Sequence, residues 1–226
     1  MTATRFSAPR FGNEIPQLRF AVLDAARVSH AALPTVKFAL ELQAPRRTEI
    51  RSVLLDVQIQ IAARQRGYDD GEQEQLLELF GTPERWRTTL RALPWTRTTV
   101  VVPAFAERTV VDLPIACSYD LDVTAARYFA ALRGGEVPLE FLFSGSVFFA
   151  GGDGALQATR IALDSEVEFR LPVSLWREAI DAHFPGSAWL RLQRDSVERL
   201  AAFKARGAYA SWDAALEALL AQESGS

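Results

Sequence analysis

The sequence predicts an α+β protein, with an antiparallel β-sheet or β-sandwich body, inserted helices and a C-terminal helical segment. Three observations lead there. Up to Leu171-Pro172, long stretches alternate apolar and polar residues with period two, as half-buried strands do. Beyond that point SLWREAIDAHFPGSAWLRLQRDSVERLAAFKARGAYASWDAALEALL reads as capped helices. Trp176, Trp189 and Trp212, three of the five tryptophans, fall in this end. Such an end either seals the core of the body or offers a docking face.

Residues 1–16 are rich in small residues, proline and glycine and read as a flexible arm. QLRFAVLD and TVKFALELQ alternate as strands, the second framed by Pro34 and Pro45. In RSVLLDVQIQIAAR, Leu55, Val57, Ile59 and Ile61 share one face while Asp56, Gln58 and Gln60 share the other, so one side of this strand should be wet. A helical insert follows at about 72–92, with EQEQLLELF as one short helix and Thr82-Pro83-Glu84 opening the next. Strands resume in TRTTVVVPAF and RTVVDLPIACSY, and a helix from about Val123 to Leu132 ends at Gly134-Gly135. Leu139, Phe141, Phe143, Gly145, Val147 and Phe149 alternate along PLEFLFSGSVFF, and Gly151-Gly152-Asp153-Gly154 turns the chain back into LQATRIALDSEVEFRLP. Ser174 is expected to cap the next helix and Pro185-Gly186 to end it. Asp195 and Glu198 have capping-box spacing for SVERLAAFKAR, closed by Gly207, and Ser211 should cap the last helix. The expected division is therefore an arm at 1–16, a mainly β body at 17–171, and helices at 172–226 packed on that body.

Composition narrows the function classes. With 49% hydrophobic and 23% charged residues the chain has a globular balance. A net charge of −3 gives no electrostatic reason to expect nucleic acid or an anionic membrane as partner. Cys117 is the only cysteine, which excludes an intramolecular disulfide and a clustered thiolate site. No apolar stretch near the N-terminus or elsewhere has the length of a signal peptide or a membrane span, so a cytoplasmic setting is expected.

No catalytic, cofactor-binding or metal-ligating residues stand out. His30 lies in the loop VSHAALP and His183 ends a helix, without HxxxH, HExxH or cysteine–histidine spacing. Cys117 continues the alternation of Val111, Leu113 and Ile115, which predicts a buried, inert thiol. SGS and GGDG match neither phosphate-binding glycine motif and read as hairpin chemistry. Asp164, Glu166 and Glu168 fit a solvated strand face, and Asp69-Asp70 a solvated turn. The arginines of the helical end are interleaved with Glu178, Asp181, Asp195 and Glu198, which predicts intrahelical pairing.

The aromatics remain. Trp176, Ala179, Ile180 and Phe184 fit one helix face, and core packing accounts for most such residues. Large amphipathic aromatics are also favoured anchors at protein interfaces, so Trp176, Trp189 and Trp212 are the candidate protein-binding residues. The run from LPVSLWREAIDAHFPG to SWDAALEALL, with PLEFLFSGSVFF upstream, is similar to an uncharacterised actinobacterial domain-of-unknown-function family encoded beside nickel-iron hydrogenase genes. The resemblance implies an accessory role in hydrogenase assembly or operation and carries no catalytic residues with it. The expected function is a non-enzymatic cytoplasmic factor binding another protein, such as a hydrogenase subunit or maturation factor. Two alternatives stand beside it: a small-ligand binder or enzyme with a pocket in the β body, and a self-associating structural subunit.

Overall fold

The computed structural model describes residues 15–46, 48–118, 120, 123–152, 154–187 and 189–223. Most of the expected arm, residues 1–14, lies outside the described residues. The chain forms two compact units, one reaching Ala188 and one from Trp189 onward.

The first unit begins with β1 (Arg19–Arg27), β2 (Thr35–Gln43) and β3 (Glu49–Ile61). The insert forms three short helices, α1 (Asp70–Gln75), α2 (Leu77–Phe80) and α3 (Trp86–Thr89). Then come β4 (Leu93–Val102), β5 (Phe105–Ala106), β6 (Arg108–Ala116) and α4 (Thr124–Ala131). β7 (Glu136–Ala150), β8 (Leu156–Arg160), β9 (Glu166–Pro172) and α5 (Val173–Asp181) complete it. One sheet has three strands in the order β1-β2-β6. The other has six, β4-β3-β7-β8 with β5 on β3 and β9 on β7. Every pairing is antiparallel.

The period of two in the sequence is what sorts these faces. Along β3, Val53, Leu55, Val57, Ile59 and Ile61 are fully buried, while Asp56, Gln58 and Gln60 lie on the opposite face. The inner faces of the two sheets meet through aromatic pairs: Phe20 stacks on Phe143 at 4.3 Å, and Phe38 meets Phe141 edge-on at 5.1 Å. The result is a sandwich whose core runs between the sheets. Each fully buried Leu, Ile or Phe contributes about 1.5–3 kcal/mol.

β7 is long and its outer partner is broken in two. β8 pairs with its second half and β9 with its first, and Ile161–Ser165 loops out between them. Gly145 stands at the break with φ +134°. A Cβ there would fall inside the contact distance of the Leu54 carbonyl oxygen on β3, so only glycine lets the two strands pair.

Helices close the sandwich. α5 packs on β1, β2 and β9 and buries Val173, Trp176, Ala179 and Ile180. The insert packs down: Phe80 is edge-on to Tyr128 of α4, and Trp86 is edge-on to Tyr68 and Phe80, while Trp95 on β4 lies against Phe38 and Phe129. The second unit contains α6 (Arg194–Arg206) and α7 (Trp212–Glu223). α6 contacts α7, Phe203 stacks on Tyr209 at 5.3 Å, and Ala215 is fully buried.

Several local expectations change. The compact unit that holds the sheets extends to Ala188, and the apolar face of α5 is buried in its core. α5 starts one residue before Ser174, and no side chain caps it. α6 starts at Arg194 with Gln193 as an uncapped N-cap, which puts Asp195 in the first turn. The capping box is instead at Asp69 and Glu72, opening α1. Ser211 does cap α7, its Oγ accepting from the Ala214 N–H at 3.0 Å. Asp153, in the expected GGDG turn, lies outside the described residues.

Candidate functional site

The three candidate tryptophans separate. Trp176 is 6% exposed and stacks on Phe129 of α4, with ring centroids 5.2 Å apart and planes at 10°. It is a core residue of the body and is not available to a partner, which corrects its candidacy. The helical period that placed it with Ala179 and Ile180 was reporting burial. Trp189 and Trp212, in the second unit, are 56% and 47% exposed.

The surface of that second unit is unusually apolar. Leu190, Leu192, Val197, Leu216, Leu219 and Leu220 are exposed there as well. On α7 the exposed residues Trp212, Leu216, Leu219 and Leu220 recur at helical spacing and form one ridge. Lys204 on α6 places its Nζ 5.7 Å from the centroid of the Trp212 ring, a cation–π contact that leaves much of the indole open.

Beside the ridge lies a shallow groove of about 440 Å³, with Leu200 and Phe203 of α6 and Leu219 of α7 as its apolar floor. Arg199 and Arg206 line it as well. Ser196, Arg199, Phe203 and Arg206 are spaced three, four and three residues apart, which puts them on one face of α6. The expected intrahelical ion pairs do not form here. Among the described residues neither Arg199 nor Arg206 has an ion-pair partner. In the body, Arg177 donates to the carbonyls of Leu132 and Arg133 rather than to Glu178 or Asp181.

The remaining candidates do not come together: His183 and Cys117 contact the loop before β2 that holds His30, whereas the acidic residues lie on and just before β9. His183 Nε2 lies 2.8 Å from the carbonyl oxygen of Ala31, next to His30, and its Nδ1 lies 3.1 Å from that of Ala179. Cys117 donates its backbone N–H to Pro34 at 2.7 Å, closing the same loop. Its thiol is buried, and burial pushes its pKa up to about 12, so it is not a nucleophile at neutral pH. His30 is exposed, with φ +60°. Glu166 and Glu168 are exposed on β9, and Asp164 sits in the loop before it. Among the described residues, no three or more His, Cys, Asp or Glu side chains are placed to hold a metal ion.

A cleft of about 470 Å³ opens between β1 and the β8–β9 edge, lined in part by Arg19, Phe20, Arg160, Asp164 and Glu166. These charged groups are exposed and of both signs, and neither His30 nor Cys117 lines the cleft. The convergence expected of an enzyme pocket in the β body is not found there.

Sequence reasoning missed one polar cluster. The Glu72 carboxylate, in a side chain only 5% exposed, accepts from Arg66 Nη1 and Nη2 at 2.8 and 2.9 Å and from the Arg133 N–H at 2.8 Å. These bonds, the Arg66 guanidinium foremost, hold its pKa at about 2. Arg66 also donates to the Gly134 carbonyl at 2.7 Å, and Tyr68 and Tyr128 share a hydrogen bond of 2.8 Å. The cluster ties α1 to the segment after α4. Every polar group in it is used internally, which makes it a structural clamp. The Asp69–Glu72 spacing was the available signal.

Among the described residues no helix is long and apolar enough to cross a membrane. Comparison with solved structures gives only low similarity. The putative ApaA protein of Bordetella pertussis matches at 13% identity and a TM-score of 0.27, over 69% of this chain and 93% of that one. The sporulation control protein Spo0M of Bacillus subtilis matches at 10% identity and a TM-score of 0.25, over 69% and 49%. A beta-glucosidase of Kluyveromyces marxianus matches at 9% identity and a TM-score of 0.23, over 69% and 15%. Likeness at this level carries no functional argument. No curated protein matches the sequence. A family model does match, across residues 15–226, and by that match the chain belongs to a family of unknown function, DUF6084.

Proposed function

We propose that this chain is a non-enzymatic accessory or assembly factor that binds another protein through its C-terminal helical unit. The observation that carries the reading is the concentration of exposed apolar side chains on residues 189–223, with Trp189 and Trp212 among them. Contiguous apolar surface on a soluble protein marks an interaction site, and tryptophan is enriched among the residues that dominate binding energy. The body supports the reading by supplying a rigid scaffold whose own aromatics are spent on its core. The likeness of the helical end to proteins encoded beside nickel-iron hydrogenases proposes the client: a hydrogenase subunit or maturation factor.

The test is affinity capture of the tagged full chain from its native host, with mild crosslinking, beside the W212S/L216S variant. Both positions are exposed, so folding should be unchanged by circular dichroism. Reproducible recovery of hydrogenase subunits or maturation proteins with the wild type, reduced at least fivefold with the variant, supports the proposal. Equal recovery with both proteins removes the helical unit as the docking element. Recovery of other clients through the same residues retains the docking role and removes the hydrogenase assignment.

A further inference from the structure

The groove on the second unit says more about a partner than apolar exposure alone. Its floor is Leu200, Phe203 and Leu219, which suits aliphatic or aromatic side chains. It is also lined by Arg199 and Arg206, seven residues apart on one helix face, hence about 10.5 Å apart along the axis. Neither guanidinium has an ion-pair partner among the described residues, so both remain available to a carboxylate.

Resting on the protein-binding reading above, we propose that this groove receives an acidic amphipathic helix of the partner. Two carboxylates spaced two turns apart would pair with Arg199 and Arg206, and the apolar residues between them would cover Phe203 and Leu200. The match follows from geometry: a second helix laid along α6 repeats the same rise, so carboxylates at positions i and i+7 fall opposite the two guanidiniums. Charge balance favours a protein segment over a nucleic acid. Basic and acidic residues are equal in number across 189–226, which leaves no net field to hold a polyanion. An apolar floor between the charges is likewise what a helix fills and a phosphate chain does not.

The experiment uses the full chain and three fluorescein-labelled amphipathic peptides. They share leucine and phenylalanine at helical spacing and differ only at two positions seven apart, which carry Glu, Gln or Lys. Fluorescence anisotropy is read at low and moderate salt. The Glu peptide should bind at least tenfold more tightly than the Gln peptide, with the margin shrinking as salt rises. In the R199E/R206E variant the preference should reverse in favour of the Lys peptide. That reversal cannot come from a misfolded protein, so it guards against loss of structure. Equal binding of the Glu and Gln peptides, or no reversal in the variant, overturns the proposal. So does concentration-dependent self-association of the wild type that R199E/R206E abolishes, because a second copy would then occupy the groove. If R199E/R206E captures clients from the native host as well as the wild type does, while W212S/L216S does not, the groove assignment fails and the protein-binding reading stands.

Discussion

Replacing Glu72 by glutamine keeps the size and shape of the side chain and removes one charge from a nearly buried pair. In the native protein the carboxylate ordinarily titrating at 4.5 is held at about 2, chiefly by the Arg66 guanidinium and also by the Arg133 N–H. A carboxylate with a depressed native pKa stabilises the fold above its unfolded value and loses that contribution as pH falls through its native value. The difference from 4.5 to about 2 corresponds to about 3 kcal/mol at neutral pH. Leaving a buried arginine without its partner costs about 3–5 kcal/mol in comparable cases, so the two routes agree. Urea unfolding of wild type and E72Q, compared at each pH, should show a difference of about 3 kcal/mol at pH 7 that falls to about 1 kcal/mol at pH 3 and vanishes below the native pKa. The convergence is the sensitive part, because protonating the wild-type carboxyl reproduces the variant. A difference that stays flat from pH 7 to pH 3, or one below about 1 kcal/mol at pH 7, would refute the assignment of Glu72 as the ionised centre of the clamp.

Other perturbations test other links. G145A places a Cβ against the Leu54 carbonyl at φ +134° and should cost about 3 kcal/mol or more, read as a lowered urea midpoint. W176A removes the ring stacked on Phe129 and should cost about 3–5 kcal/mol, whereas W212A should change folding by less than about 0.5 kcal/mol, both by thermal and urea unfolding. Cys117, its thiol pushed up to about 12, should resist iodoacetamide at pH 8 for hours in the native protein and react fully in urea, as followed by intact mass. H183A breaks the tie to the Ala31 carbonyl and should cost about 1 kcal/mol, with faster amide exchange confined to residues 28–34.

Much of the body was legible because one physical rule governs it. A strand buried on one face must alternate, so β3, β6 and β7 announced both their existence and their inward residues, Cys117 included. What alternation cannot show is which sheet a strand joins, and the 3-strand and 6-strand division emerged only from the pairing. The helical end was legible as helices but not by role. Trp176 lies on a strongly amphipathic helix and Trp212 on a weakly amphipathic one, but it is tertiary packing that stacks the first on Phe129 and leaves the second facing out. Charge reading failed for a related reason. Arg199 has Asp195 four residues before it on the same face of α6, yet among the described residues it forms no ion pair, because helical spacing permits such a pair without requiring it. Nothing in GYDDGEQEQ singles out Glu72, because its burial depends on Arg66 and on the distant Arg133 backbone.

The broken outer partner of β7 bears on how this chain behaves when crowded. An unbroken edge strand of fifteen residues would present a long row of free N–H and C=O groups, the template on which neighbouring molecules add as further strands. Dividing that edge into β8 and β9, with Ile161–Ser165 looped out and Leu163 at 99% exposure, leaves two short segments that no straight strand can follow. The looped break thus guards the sheet against strand addition, while Gly145 serves the close pairing with β3, and closing the loop by deletion would remove that protection from an otherwise sound sheet.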